Sequence, residues 1–216
     1  MRLPEIYYHP NFSFYKERTV MQNMQLPLHF HFKIFTPSND FSVVDARGRE
    51  VAYTRQKIFK LKEAVEIFSD ATRRTRLYRI QADRIIDFNA CYRIVNENGE
   101  ELGSIRRNGM RSLWRISYQI YDASNRLLYE VREKNPWLAF WDALVGEIPV
   151  VGMLSGYFLN PSFGVTDAAG QEAYLLKKEP SLMERRFSLQ KTGTATHDEL
   201  VTLSLMMLML LERAKG

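Results

Sequence analysis

Four histidines bound the chemistry this chain can do. His29 and His31 stand two apart in a segment that alternates apolar with polar. On a strand they share one face, as paired imidazole ligands of a β-barrel metal site do. A third ligand would have to come from His9, His197 or a carboxylate, and the plainer reading is two polar positions among Leu28, Phe30 and Phe32. Asp83 and Asp87, and Glu97 with Glu100 and Glu101, are carboxylate groupings at turns. Such groups usually serve the backbone rather than general acid–base catalysis. The sequence holds no nucleophile elbow, phosphate loop or dinucleotide fingerprint. Gly152-Met153-Leu154-Ser155-Gly156 has glycine at both ends but its serine one place late. The single cysteine, Cys91, excludes an intramolecular disulfide and a zinc site of paired cysteines, and reads as a small apolar side chain. We therefore expect no catalysis, no metal and no cofactor.

Binding is the chemistry that remains. The 216 residues carry 30 Lys+Arg against 25 Asp+Glu, a net charge of +5, which allows attraction to phosphates or an anionic membrane face. The basic residues are too dispersed for a dedicated nucleic-acid binder, although Arg73, Arg74, Arg76 and Arg79 lie close to Tyr78. The local groups are Arg73-Arg74 with Arg76, Arg106-Arg107, Lys177-Lys178 and Arg185-Arg186. In a β-rich chain such groups read first as outward strand positions and turns. Arg73, Arg74, Arg76, Arg106, Arg107, Lys177 and Lys178 are nonetheless the candidates for holding an anionic ligand.

The elements that must position them are mostly strands. Alternation of period 2 dominates from residue 29 to residue 191, with Tyr, Phe, Ile, Val and Thr enriched. Residues 29–36, 40–45, 49–59, 63–69, 76–81, 90–96, 101–107, 113–122, 126–134, 163–167, 171–178 and 184–191 read as strands. A turn signal recurs four times between them: Asp45 to Gly48, Asn96 to Gly99, Asp122 to Asn125 and Asp167 to Gly170. The Asx side chain accepts a backbone N–H two residues on, and Gly or Asn at the fourth place takes the left-handed conformation. Four such hairpins imply an antiparallel meander. So many strands in one domain need a barrel or a two-sheet sandwich to remove their edges.

The C-terminus decides between these. Thr196 and Glu199 have capping-box spacing, acidic residues open the following helix, and Arg213 and Lys215 close it. From Leu200 to Leu211 almost every position is apolar, so the helix has no polar face and must be enclosed on every side. Twelve residues span about 18 Å, too short for a hydrocarbon core of about 30 Å. A lumen of about twelve strands is wide enough for a helix, and about 24 Å of helix matches an eight-residue strand. We expect a mainly β fold: a closed antiparallel barrel of about twelve strands around a helix over 197–214. Leu200, Leu203, Met206, Met207 and Leu210 would be buried there, methionine filling irregular gaps. Residues 1–27 read as an N-terminal arm and 28–216 as the barrel domain.

The segment 137–159 is apolar but interrupted by Asp142, Glu147 and Pro149. A short helix over 136–145 would place Trp137, Phe140 and Trp141 on one face, which packs on the barrel, enters a membrane interface or docks a protein partner. The N-terminus has no apolar signal region, so a reduced, cytoplasmic setting is expected, peripheral to the inner membrane face if lipid is bound.

The order of these elements resembles the tubby C-terminal-like superfamily, and within it the bacterial LURP-one-related and phospholipid-scramblase-like branch. The resemblance is carried by FSVVDARGREVA from Phe41 to Ala52, IPVVGMLSGYFLNPSFGVTD from Ile148 to Asp167, Gln171 to Lys178, Arg185 to Leu189 and the terminal helix, over about residues 28–214. It implies a membrane-facing protein: tubby proteins bind phosphoinositides through basic residues on the barrel wall, and scramblases are calcium-dependent and lipid-anchored. This chain has no cysteine-rich tract, proline-rich arm or acidic calcium loop before the helix, so scramblase activity is not expected. None of the tubby lipid-binding residues is carried over. The resulting expectation is non-enzymatic recognition of an anionic lipid headgroup or membrane surface. The alternative is a protein-interaction scaffold using 137–159, and nucleic acid is not expected as a partner.

Overall fold

In the computed structural model, residues 21–32, 38–57, 64–83, 90–108, 117–134, 162–180 and 185–213 are described. Within them lie twelve strands: β1 Leu28–Phe32, β2 Ser38–Val44, β3 Glu50–Lys57, β4 Val65–Phe68, β5 Arg76–Ala82, β6 Cys91–Asn96, β7 Glu101–Asn108, β8 Ser117–Asp122, β9 Leu127–Glu133, β10 Ser162–Asp167, β11 Glu172–Glu179 and β12 Arg185–Lys191. One helix follows, α1 Asp198–Arg213. Each strand pairs antiparallel with its neighbours in sequence, and β1 pairs with β12 (Leu28 opposite Leu189, Phe30 opposite Phe187), which closes the barrel. Closure leaves no free edge to template aggregation.

Alternation explains the wall. Leu28, Phe30 and Phe32 of β1 point into the lumen while His29 and His31 face outward, and Tyr78 and Ile80 of β5 point inward while Arg79 faces out. The inward rows are filled mostly by aliphatic and aromatic side chains, among them Ile67, Ile94, Ile105, Ile120, Val131 and Tyr174. The lumen they leave is occupied by α1. All eleven residues from Leu200 to Leu210 are buried, none more than 5% exposed, and Leu200, Leu203, Met206, Met207 and Leu210 are among them as expected. Since hydration of apolar surface is non-directional, this sequence demands enclosure but does not itself choose the helix's depth. Gly103 of β7 lets the helix come close: a Cβ there would meet the Tyr121 carbonyl oxygen at 2.2 Å and Leu200 at 3.0 Å.

Because every hairpin alternates ends, the links β2–β3, β4–β5, β6–β7, β8–β9 and β10–β11 share one rim of the barrel, the rim at which α1 begins. The strand ends Phe32, Lys57, Ala82, Asn108 and Glu133 lie at the other rim, with the end of α1. Residues 1–20, His9, Asp87, the short helix over 136–145 with Trp137, Phe140 and Trp141, the segment 137–159 and Gly152 to Gly156 lie outside the described residues.

A candidate anionic-surface site at the turn rim

The four turns read from the sequence are made as their residues require. The Asp45 carboxylate accepts from the amides of Arg47 (2.9 Å) and Arg49 (3.0 Å), and the Asn96 carbonyl oxygen from those of Asn98 (3.0 Å) and Glu100 (2.9 Å). Asp167 does the same for Ala169 and Gln171, both at 2.9 Å. The fourth residue of each turn donates its amide to the carbonyl of the first, and Gly48, Gly99, Asn125 and Gly170 all have positive φ. A fifth turn of the same type, Asp70 to Arg73, joins β4 to β5. Thr72 donates its amide to the Asp70 carboxylate at 2.7 Å, and Arg73 stands in the left-handed region at φ +56°. Sequence reasoning passed over it because arginine occupies the place where glycine or asparagine is the signal.

The turns differ in charge at their tips. Arg47 on the β2–β3 turn and Arg73 and Arg74 on the adjacent β4–β5 turn are exposed, and none forms an ion pair with a described residue. The next turn along the rim, β6–β7, is acidic, with Glu97, Glu100 and Glu101, so basic tips and an acidic tip stand side by side. The carboxylates that shape the turns are engaged by backbone amides, Asp45 also by the Arg49 guanidinium, while Asp70 lies near enough to Arg74 to interact with it. Burial alone would raise the Asp45 pKa, but the side-chain and backbone bonds from Arg49 and the Arg47 amide outweigh it and hold the group low. Asp70 is held low by its bonds to Thr72 first, and by Ser69 and the nearby Arg74.

The other candidates are not gathered with these. Arg76 starts β5 and pairs with Glu66 (2.8 Å), which Arg79 also approaches at 3.3 Å. Burial would raise the Glu66 pKa, yet these two guanidiniums hold it below the ordinary value. Arg106 and Arg107 have their backbone toward the opposite rim, on successive positions of β7, so they take opposite faces of the wall, and the Arg106 guanidinium reaches back to the β8–β9 turn. Arg106 lies outside, 4.2 Å over the Tyr121 ring, and donates to Asn125. Arg107 shares the inward row with Ile105, near Tyr92 and Tyr118. Period 2 splits Lys177 and Lys178 of β11 in the same way, Lys177 being the exposed one. Adjacent basic residues in a strand therefore do not add up to one surface.

Inside the rim, tyrosines collar the start of α1. Tyr78 donates to Glu199, Tyr174 to Asp198 at 2.6 Å, and the Tyr129 hydroxyl lies 3.0 Å from His197 Nδ1. Lys191 reaches the two Asp198 oxygens at 2.9 and 3.1 Å. At the far end Tyr118 donates to Glu212. Burial first, and the partner carboxylates next, push the phenols of Tyr118 and Tyr174 far above their usual range. The expected capping box is not the arrangement found: among the described residues no bond joins Thr196 to Glu199, whose carboxylate goes to Tyr78 instead. A hydroxyl delivered by the barrel wall to a half-buried carboxylate takes it away from the chain's own amide.

Two further outcomes bear on the sequence reading. His29 and His31 do share the outer face, with His29 Nδ1 3.8 Å from Glu179, but no group of three His, Cys, Asp or Glu among the described residues could hold a metal. Residues 21–25, ahead of β1, are seated on the barrel: Met21 and Met24 are buried, Ala46 donates its amide to the Gln25 carbonyl at 2.9 Å, and Arg49 donates to the Asn23 carbonyl at 3.1 Å. Among the described residues no helix is long and apolar enough to cross a membrane.

A closed antiparallel barrel of twelve strands wrapped round one apolar helix defines the class of this protein. The LURP-one-related family matches it over residues 50–146, from the first residue of β3 past the end of β9, a narrower stretch than the resemblance read from the sequence. The X-ray structure of a protein from Arabidopsis thaliana is similar at 11% identity, covering 88% of this chain and 92% of that one with a TM-score of 0.48. No curated protein matches the chain.

Proposed function

We propose that this protein binds an anionic lipid headgroup or membrane surface, without catalysis, through the basic side of the turn rim. One observation carries the reading: Arg47, Arg73 and Arg74 project from neighbouring hairpin tips, exposed and in no ion pair with a described residue. The match to the LURP-one-related family supports it, since that fold family is associated with lipid binding. A basic residue near an anionic leaflet is worth about 1 kcal/mol, so three on one rim give about a hundredfold preference over a neutral surface. The cytoplasmic leaflet, with its anionic lipids, is the membrane face that suits such a rim.

Co-sedimentation with vesicles tests the reading. Binding is expected to vesicles containing phosphatidylglycerol or phosphoinositide, not to phosphatidylcholine alone, and to weaken as salt shortens the Debye length from about 10 Å at 0.1 M to about 3 Å at 1 M. Equal pelleting on neutral and anionic vesicles at every salt concentration would overturn it.

A further inference from the structure

The five hairpin tips of the turn rim share one backbone plan but not one charge. In each, the Asp or Asn that opens the turn accepts backbone amides further along it, so the tips are held in like shapes. In four of them the second residue is an exposed alanine: Ala46, Ala71, Ala123 and Ala168. What differs is the charge presented outward, and the cations are confined to one sector. Arg47, Arg73 and Arg74 stand on the adjacent β2–β3 and β4–β5 tips, exposed and in no ion pair with a described residue. The next tip, β6–β7, holds Glu97, Glu100 and Glu101 and no Lys or Arg between Asn96 and Glu101. On β8–β9 the cation Arg126 is bonded to Asp122 at 2.7 Å, so the pair adds no net charge. The β10–β11 tip has Asp167 and no Lys or Arg from there to Gln171. On the other flank of the basic tips, residues 21–27 and 192–197 complete the ring without Asp, Glu, Lys or Arg.

A rim so charged does not meet an anionic surface flat. Neighbouring tips are two strand spacings apart, about 10 Å, which is about one Debye length at 0.1 M salt. Flat contact would bring the β6–β7 glutamates and Asp167 to the leaflet together with the three arginines, and their repulsion would offset the attraction. Rotation of the barrel onto its β2–β5 edge, toward the uncharged flank, keeps Arg47, Arg73 and Arg74 at the surface. It also lifts the other three tips to where salt screens them.

We propose that the barrel docks on an anionic bilayer tilted onto the β2–β3 and β4–β5 tips, with the β6–β7, β8–β9 and β10–β11 tips held off the surface; this pose rests on the lipid reading above. The membrane then meets one sector of the rim, and the acidic tip beside it sets the direction of the tilt.

The four equivalent alanines supply the test, since one carboxylate can be placed at the same turn position on each tip. Partition of the full chain and of Ala46→Glu, Ala71→Glu, Ala123→Glu and Ala168→Glu is measured by co-sedimentation at 0.1 M salt. The vesicles hold phosphatidylglycerol and phosphatidylcholine in equal parts, and urea unfolding confirms that each variant folds. Ala46→Glu and Ala71→Glu are expected to weaken partition about fivefold each, and Ala123→Glu and Ala168→Glu less than about twofold. Where a variant does not fold, an environment-sensitive dye on Ala46→Cys, Ala71→Cys, Ala123→Cys or Ala168→Cys in a Cys91→Ala background replaces it. The dye is expected to shift on vesicles at positions 46 and 71 and not at 123 and 168. Losses or shifts at 46 and 71 no greater than those at 123 and 168 overturn the pose and leave lipid binding standing. A wild-type chain that does not pellet on these vesicles overturns the lipid reading, and the pose with it.

Discussion

The lumen and the turn rim are built on opposite principles. In the lumen eleven successive helix residues meet the inward rows of twelve strands, and the fit is one of volume and apolar area. At the rim the fit is one of direction: Asx carboxylates and amides face amides, phenols face carboxylates, and left-handed residues turn the chain back. The difference teaches where stability and function separate. Substitution in the lumen costs folding, whereas the outward tips of the rim can change charge at almost no cost to the fold.

The largest effect that sharpens this contrast is expected at the helix. Leu203→Ala, at a fully buried position, should cost about 2–5 kcal/mol by urea unfolding, and Leu203→Asp should leave no cooperative transition. A Leu203→Ala loss below about 1 kcal/mol would mean that the helix is not enclosed. Gly103→Ala comes next: a Cβ 2.2 Å from the Tyr121 carbonyl oxygen forces β7, β8 and α1 apart, and a loss of about 1–3 kcal/mol is expected. Asp45→Asn tests the rim's inner side. The folded carboxylate is held below its ordinary value, so its contribution is present above pH 4 and is lost as pH falls through the folded pKa. The variant should lose about 1–2 kcal/mol at pH 7 and flatten the acid limb of a stability-against-pH curve.

Alkali probes the buried tyrosines. The phenols of Tyr118 and Tyr174 are raised far above normal and that of Tyr53 to about 12 by burial and its bond to Asp40. A group with a raised folded pKa stabilises fully below its unfolded value, about 10 for tyrosine, and loses that contribution as pH rises. Thermal midpoints should therefore fall steeply above pH 10, with phenolate absorbance appearing together with unfolding. Smallest is Arg73→Gly, which removes a left-handed arginine at φ +56° and should gain up to about 1 kcal/mol in chemical denaturation.

Much of this was legible in the sequence because its signals are local. Period 2 marks the strands, and an apolar run with charges only at its ends marks an enclosed helix, which is why 197–214 and Asp198–Arg213 nearly coincide. The rim was legible only where residue type announces conformation: Gly48, Gly99, Asn125 and Gly170 do so, and Arg73 does not. The collar was hidden because its partners are far apart in sequence, 121 positions for Tyr78 and Glu199 and 94 for Tyr118 and Glu212. Only closure of the barrel brings them together. Sequence adjacency also misleads on strands, where Arg106 and Arg107 look like one basic group and lie on opposite faces.

The central claim, that the rim's basic tips hold an anionic surface, is met most directly by charge reversal measured on vesicles. Arg47→Glu, Arg73→Glu and Arg74→Glu combined should reduce partition onto phosphatidylglycerol vesicles by about a hundredfold or more while the unfolding free energy in urea stays within about 0.5 kcal/mol of the wild type. Lys177→Glu, toward the opposite rim, should leave partition close to that of the wild type. A triple variant that folds and still partitions like the wild type would contradict the account.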